Sequence, residues 1–243
     1  MVVECDTPQA GRAPGGQPAG LHKTQPAGFG ATPEGLPRRR PAGIYRRFGK
    51  RALDLVLVLL AAPAILVLMV PLVIAVACDG GAPFYTQMRV GRGGRLYRMW
   101  KLRSMVREAD RLLSEHLAAD PGARVEWQRN QKLSHDPRIT AVGRVIRKTS
   151  LDELPQLWNV LCGDMSLVGP RPMMDSQRGL YPGRAYYGLR PGVTGLWQVA
   201  ARNQTGFAAR ASFDTLYDRR LSLRQDLALL AGTVVVVYRC TGR

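Results

Sequence analysis

Residues 55–78 read LVLVLLAAPAILVLMVPLVIAVAC, 24 consecutive positions without a charge, and how they sit in a bilayer decides the fold. A hydrocarbon core is crossed by roughly 20 helical residues, so the run is long enough to span. Two features count against a plain span. Pro63 and Pro71 fall inside the run, and each removes a backbone hydrogen bond that lipid cannot replace. Both flanks are also basic: Arg46, Arg47, Lys50 and Arg51 precede the run, and Arg89, Arg92, Arg95, Arg98, Lys101 and Arg103 follow it. Lysine and arginine favour the cytoplasmic side, so both ends ask for the same face. A helix that enters, breaks at Pro63 and returns satisfies them. A kinked span with a basic domain behind it is the alternative, and the residues alone leave both open.

The 243-residue chain as a whole is 46% hydrophobic, enough for a real core. Its 35 Lys and Arg against 18 Asp and Glu give a net charge of +17, which points to nucleic acid, anionic lipid or phosphorylated substrates. Cys5, Cys78, Cys162 and Cys240 form no CxxC pair, which argues against a zinc site and a disulfide framework. Residues 1–43 are rich in Gly, Pro, Ala and Gln and are expected to be a disordered tail. Residues 44–80 form the membrane segment, and 81–243 a cytoplasmic domain. Phe84–Val90 and Leu96–Leu102 read as two strands around the glycine cluster 91–94. That cluster lacks the spacing and the terminal Lys with Ser or Thr of a P-loop. Apolar residues at helical spacing predict surface helices over 104–119 and 207–221. The apolar stretch 226–238 is too short to span and suits a core or an interfacial helix.

Chemistry concentrates in residues 134–172, SHDPRITAVGRVIRKTSLDELPQLWNVLCGDMSLVGPRP. Ile139, Val142 and Ile146 repeat at helical spacing. Ser150 and Glu153 spell a capping box, but Pro155 belongs at a helix start. A second helix is therefore expected from Leu154 or Pro155 to near Gly163, with Asp152 and Glu153 just outside it. An ionised Asp152 close to arginines suits nucleophilic attack on a phosphoryl group, and Glu153 suits Mg2+. Helix capping with surface salt bridges is the commoner explanation of such a pair. Arg171, in the stiff GPRP loop 169–172, suits bidentate phosphate binding, although a bare turn explains the same string.

The residues quoted from 134–172, together with KRALDLVLVLLAAP at 50–63, KLRSM at 101–105 and RPGVTGLWQV at 190–199, resemble the bacterial sugar transferases. These are small monotopic polyprenyl-phosphate phosphoglycosyl transferases, and the resemblance runs from about residue 45 to 238. It implies an α+β fold: a re-entrant membrane helix-break-helix, broken at Pro63, joined to a mainly helical catalytic domain with a short β-hairpin and interfacial amphipathic helices. It implies that Asp152 attacks the β-phosphate of a UDP-sugar and releases UMP, that Glu153 helps to bind Mg2+, and that polyprenyl (undecaprenyl) phosphate then takes the phosphosugar. Arg147 and Arg171 are implied as phosphate contacts, with Lys101 and Arg103 as weaker candidates. The implied setting is the cytoplasmic leaflet of the bacterial inner membrane, at the first membrane step of exopolysaccharide or glycoconjugate assembly. Where the family often places serine before the proline of the break, this chain has Ala62. The resemblance is to the compact form of the family, without the four-helix membrane domain of larger relatives.

A membrane-anchored basic module that binds anionic lipid or nucleic acid without catalysis is the competing class. The chain lacks a recognisable reading helix or an aromatic RNA-binding motif, so nucleic acid is not the expected partner. Neither the sugar nor the oligomeric state, a homodimer included, can be read from these residues.

Overall fold

The computed structural model describes residues 43–130, 133–201 and 205–238. The tail expected over residues 1–43 lies outside them apart from Gly43. A π-helical turn, Tyr45–Gly49, leads into α1, Lys50–Cys78, 29 residues long and on the order of 43 Å at 1.5 Å per residue. The helix runs unbroken through Pro63 and Pro71, so the interruption expected at Pro63 is absent from the helical backbone. Proline holds φ near its helical value and removes one donor, a local loss to which a long helix responds by bending.

Burial along α1 is confined to its two ends. Asp54, Val58 and Val76 are buried, whereas Leu60, Leu66, Val67 and Val70 between them are exposed. At the first end, Lys50 Nζ lies 2.8 Å from the fully buried Asp226, which also accepts from the hydroxyls of Tyr45 and Tyr217. Arg51 donates to the carbonyls of Val160 and Leu161, and Asp54 accepts from Leu167 N at 3.0 Å. At the second end, Arg103 donates to Val76 O at 2.7 Å, with Gly81 O and Gly80 O at 3.4 and 3.5 Å.

The hairpin forms at the expected residues. β1, Phe84–Val90, pairs antiparallel with β2, Leu96–Leu102, in a register running from Phe84↔Leu102 to Val90↔Leu96. Gly93 and Gly94 close it with φ of 69° and 80°, a region that residues bearing a Cβ rarely adopt. α2, Ala109–Ala119, starts five residues later than the spacing suggested. Val106 N bonds to Arg138 O, Ser104 O accepts from Thr140 N, and Met105 bridges Ile139, so this backbone is paired with the chain ahead of α4 and is not free to coil. α3, Pro121–Asn130, is followed by α4, Ala141–Thr149, whose first turn is capped by Thr140 Oγ1 accepting from Gly143 N at 2.9 Å.

α5, Gln156–Cys162, precedes β3, Ser166–Val168. After the single turn α6, Ala185–Gly188, the chain returns as β4, Gly192–Thr194, parallel to β3. α7, Leu196–Ala200, α8, Arg210–Arg220, and α9, Leu223–Tyr238, complete the order. Residues 207–209, expected as the start of α8, form a 3-10 turn instead. α9 buries Asp226 and Leu229 and exposes Leu227, Val234 and Val235, so it joins the core on one side and keeps an open apolar face on the other.

Three buried clusters hold these elements. Val58 of α1 packs with Tyr97 and Met99 of β2 and with Val160 and Met165. Val90, Met173, Tyr181, Tyr186 and Ala211 form the second cluster, and Val168, Leu189, Tyr217 and Leu229 the third. Burying an aliphatic or aromatic side chain stabilises by about 1.5–3 kcal/mol, so Val58 makes the long apolar helix part of the domain's own core.

Asp214 of α8 is buried beside the second cluster, with Tyr181 Oη donating to it at 2.8 Å. Burial pushes its carboxyl up to about 7, against the opposing effects of the Tyr181 hydrogen bond and the Arg210 charge. A carboxyl whose folded pKa exceeds its unfolded value, about 3.9, holds its proton more tightly when folded. Its contribution is therefore complete below about pH 4 and is lost as pH rises through about 7. Between about pH 5 and 8 the melting temperature should fall by roughly 5 °C or more relative to Asp214→Asn, in which this dependence disappears. Parallel melting profiles for the two proteins across that range would contradict the assignment.

Candidate active site

α4 ends on Ser150, which has φ 59° and ψ 22° and is the one non-glycine residue of positive φ among the described residues. That conformation costs roughly 1–2 kcal/mol for an L-residue and concentrates where surrounding structure enforces it, often at functional sites. The chain then makes one 3-10 turn, Leu151–Glu153, and enters α5 at Gln156 with Pro155 at its N-cap. Asp152 and Glu153 thus stand just outside the second helix, as Pro155 implied, and that helix begins one or two residues later than expected. The Ser150 side chain makes no capping bond, so a capping box does not account for the carboxylate pair.

The turn brings both acids to β2. Lys101 Nζ lies 3.2 Å from Asp152 Oδ2 and 3.6 Å from Glu153 Oε1. Asn159 of α5, 2% exposed, fixes this approach by accepting from Trp100 N at 3.0 Å and donating to Arg98 O at 2.8 Å. One buried amide therefore bonds α5 to the β2 residues on either side of position 99, two residues before the lysine. Burial alone pushes the Lys101 ammonium pKa down, but Glu153 and then Asp152 outweigh it and hold the value above that of a free lysine. The ammonium is accordingly charged at neutral pH.

Beside this group is a cavity of about 220 Å³. Glu153, Arg171 and Gln198 give it polar walls, and Leu154, Leu157 and Val199 are among its apolar ones. Arg171 is presented by a tight crossing of two backbones. Gly169 N donates to Thr194 O and Gly192 N to Pro170 O, each at 2.8 Å. A Cβ on Gly195 would meet the Gly169 carbonyl oxygen at 2.0 Å, so glycine there permits the approach that holds the loop.

Lys101, Asp152 and Glu153 are thus brought together, and Arg171 shares a cavity with Glu153. Arg147, on the last turn of α4, has a buried Nη1 without a hydrogen-bond partner among the described residues; burial pushes the Asp136 carboxyl up, but Arg138 and, more weakly, the Arg147 charge outweigh it and lower the pKa. Arg103 contacts no carboxylate of the pair: its guanidinium is engaged with the end of α1. Pro63 is exposed, midway along α1. Asn159 was not singled out from the sequence, although it stands in the same motif. Among the described residues no three His, Cys, Asp or Glu side chains gather as a metal cage. Two adjacent carboxylates, of which Glu153 lines the cavity, fit the other mode of Mg2+ binding, in which one or two protein carboxylates act with substrate phosphates.

A family model described as "Bacterial sugar transferase" matches residues 45–240. The UDP-galactose-lipid carrier transferase of Erwinia amylovora is 48% identical over 198 residues, covering 81% of this chain and 42% of that protein. The undecaprenyl-phosphate galactose phosphotransferase of Salmonella typhimurium is 49% identical over 202 residues, with the same two coverages. The exopolysaccharide production protein ExoY of Sinorhizobium fredii is 42% identical over 210 residues, 84% of this chain and 90% of that protein. The chain therefore spans less than half the length of the first two relatives and most of the third.

Removing one partner of a buried ionic group leaves the others uncompensated. Lys101→Met should lower stability by roughly 1–3 kcal/mol, read as a drop in melting temperature. The loss should be smaller in a Glu153→Gln background, because less negative charge is then left unpaired. Strictly additive losses would show that the three groups do not act together.

Proposed function

The chain belongs to the bacterial sugar transferase family, and on that premise we propose that it moves a sugar-1-phosphate from a UDP-sugar to polyprenyl phosphate. The observation that carries this reading is the joining of Asp152, Glu153 and Lys101, with Glu153 lining a cavity that Arg171 also lines. Asp152 is the nucleophile. Its carboxylate oxygen bonds to the β-phosphorus of the UDP-sugar while the bridging oxygen to the α-phosphorus departs with UMP. The product is a phosphosugar ester of Asp152, an acyl phosphate. A phosphate oxygen of polyprenyl phosphate then attacks the same phosphorus, forming the lipid diphosphate-sugar and freeing the carboxylate. Lys101 places positive charge where the phosphoryl oxygens crowd the carboxylates, and Arg171 offers a planar donor fork suited to phosphate. Glu153, together with substrate phosphate oxygens, would hold Mg2+, whose contribution is to neutralise developing negative charge.

One substrate is water-soluble and the other is a lipid, so the reaction belongs at the headgroup level of the bilayer. We propose that α1 enters and leaves on the cytoplasmic face of the inner membrane, bending at its prolines. Support comes from the contacts at its two ends. Arg51 and Asp54 bind residues 160–167, and Arg103, next to β2, binds Val76. Asn159 joins that same β2 to the helix carrying Val160. A spanning α1 would place its ends on opposite sides of a core about 30 Å thick, whereas one domain holds both. The exopolysaccharide role named for one relative suggests the product's use, as the first membrane step of a surface glycan.

Two outcomes are expected. Purified protein with undecaprenyl phosphate and Mg2+ should release UMP from one or two members of a UDP-sugar panel, and Asp152→Asn should reduce that release by about 10³-fold or more. Normal turnover by the variant would refute Asp152 as nucleophile. In a cysteine-free background, Arg47→Cys and Arg92→Cys, both exposed positions flanking the apolar run, should react with an impermeant maleimide from the same side of sealed vesicles. Labelling from opposite sides would refute the re-entrant topology.

A further inference from the structure

Arg171 also belongs to a second group of charges, whose other members the reaction outlined above leaves unused. Its guanidinium carbon lies 6.0 Å from the ring centre of Trp197, and that of Arg210 lies 4.3 Å from the same ring and 4.6 Å from Phe207. Arg89 reaches the same region from the far strand of the hairpin. Its neighbour Val90 donates from N to Met173 O at 3.0 Å, two residues beyond Arg171. Tyr186 locks that junction by bonding Val90 O with its hydroxyl and accepting from Met173 N. Three cationic side chains from β1, the GPRP loop and the start of α8 are thereby drawn together by backbone that is itself pinned.

Little among the described residues balances them. Among the described residues no salt bridge ties Arg89, Arg171 or Arg210 to a carboxylate. Asp214 acts on Arg210 through space, but it accepts its hydrogen bond from Tyr181. The Nε–H groups of Arg89 and Arg210 are buried and have no hydrogen-bond partner among the described residues. Burial, then Arg171, then Arg89 after the opposing Asp214, bring the Arg210 guanidinium down to about 10, and burial followed by Arg171 lowers Arg89 too. Buried donors without acceptors cost stability, as do like charges held close. An arrangement that carries both costs is explained by an anion that satisfies the donors and cancels the charge. Stacking of Arg210 between two aromatic rings accounts for one of the three arginines and for neither orphaned N–H.

We propose that Arg89, Arg171 and Arg210 form a phosphate-binding site for the nucleotide end of the donor, gripping the phosphate that leaves as UMP. The choice of phosphate rests on the transfer reading above. In an in-line displacement the leaving oxygen lies opposite the attacking one. Arg171 lines the cavity of Glu153 while Arg89 and Arg210 do not, so the trio extends the site away from the carboxylates, where the leaving group would go. The two added arginines are far apart in sequence, 121 positions, and only the fold brings them to Arg171.

The test is calorimetric titration of the full-length protein in lipid nanodiscs with UMP and, separately, with farnesyl phosphate as a short lipid phosphate. Arg89→Gln and Arg210→Gln should each weaken UMP binding by about tenfold or more and change farnesyl phosphate binding little. Exposed Arg111→Gln should leave both unchanged. The ligand-free melting temperature should hold or rise in the two variants, because a repelling charge has gone. A purely structural role predicts that it falls. Arg89→Lys and Arg210→Lys keep the charge and repeat the comparison if a glutamine variant does not fold. Unchanged UMP affinity in these variants, or a loss confined to farnesyl phosphate, overturns the assignment. Wild-type protein that binds UMP through these arginines yet turns over no UDP-sugar would keep the site and remove the transfer reading.

Discussion

An apolar helix of 29 residues held at both ends by one domain is the constraint on which the rest of this structure depends. Lys50, Arg51 and Asp54 fasten the first end and Arg103 the second, each to groups of low exposure in the same body. The middle of the helix is bare of protein contacts that would bury it, which on the proposed topology leaves it for lipid. The hairpin and α5 are packed directly on the same helix through Val58. The candidate active site stands on that hairpin and on the turn leading into α5. The contacts that hold α1 and those that set the carboxylates are therefore mechanically continuous.

That continuity runs through Asn159. Its amide bonds β2 on either side of Met99, two residues from the lysine that stands between Asp152 and Glu153. Its own helix offers the Val160 and Leu161 carbonyls to Arg51. A buried polar side chain with its bonds satisfied specifies one arrangement and penalises others, so a single asparagine couples helix docking to site geometry. The left-handed Ser150 serves the same end from the other direction: it stops α4 and turns the chain so that both acids face β2.

Much of this was legible in the sequence wherever a local rule applied. The hairpin ends fall where the glycine cluster and the flanking apolar residues put them, because a tight turn needs the dihedrals only glycine supplies freely. The carboxylates stand outside the second helix because proline belongs at its start. The β3–β4 pair was not legible, since strands of three residues carry no period and parallel pairing joins residues 26 positions apart, Ser166 and Gly192. α2 was read too long because apolar spacing says nothing of backbone already paired to residues 138–140. Arg103, only a weaker phosphate candidate on the resemblance that KLRSM helps to carry, is bonded to the end of α1, a contact that no local rule foretells. Arg89 and Arg210 look like ordinary surface charges in a basic chain, and only their convergence on Trp197 and Arg171 gives them meaning.

The central claim is that Asp152 carries the phosphosugar. The most direct measurement is peptide mass analysis of protein incubated with its UDP-sugar and Mg2+ in the absence of any lipid phosphate, then quenched and digested. The account predicts that the peptide containing Asp152 gains the mass of one hexose phosphate, accompanied by one equivalent of UMP, and that adding polyprenyl phosphate removes the adduct. Turnover with lipid present but no adduct, or an adduct on any other residue, would contradict it.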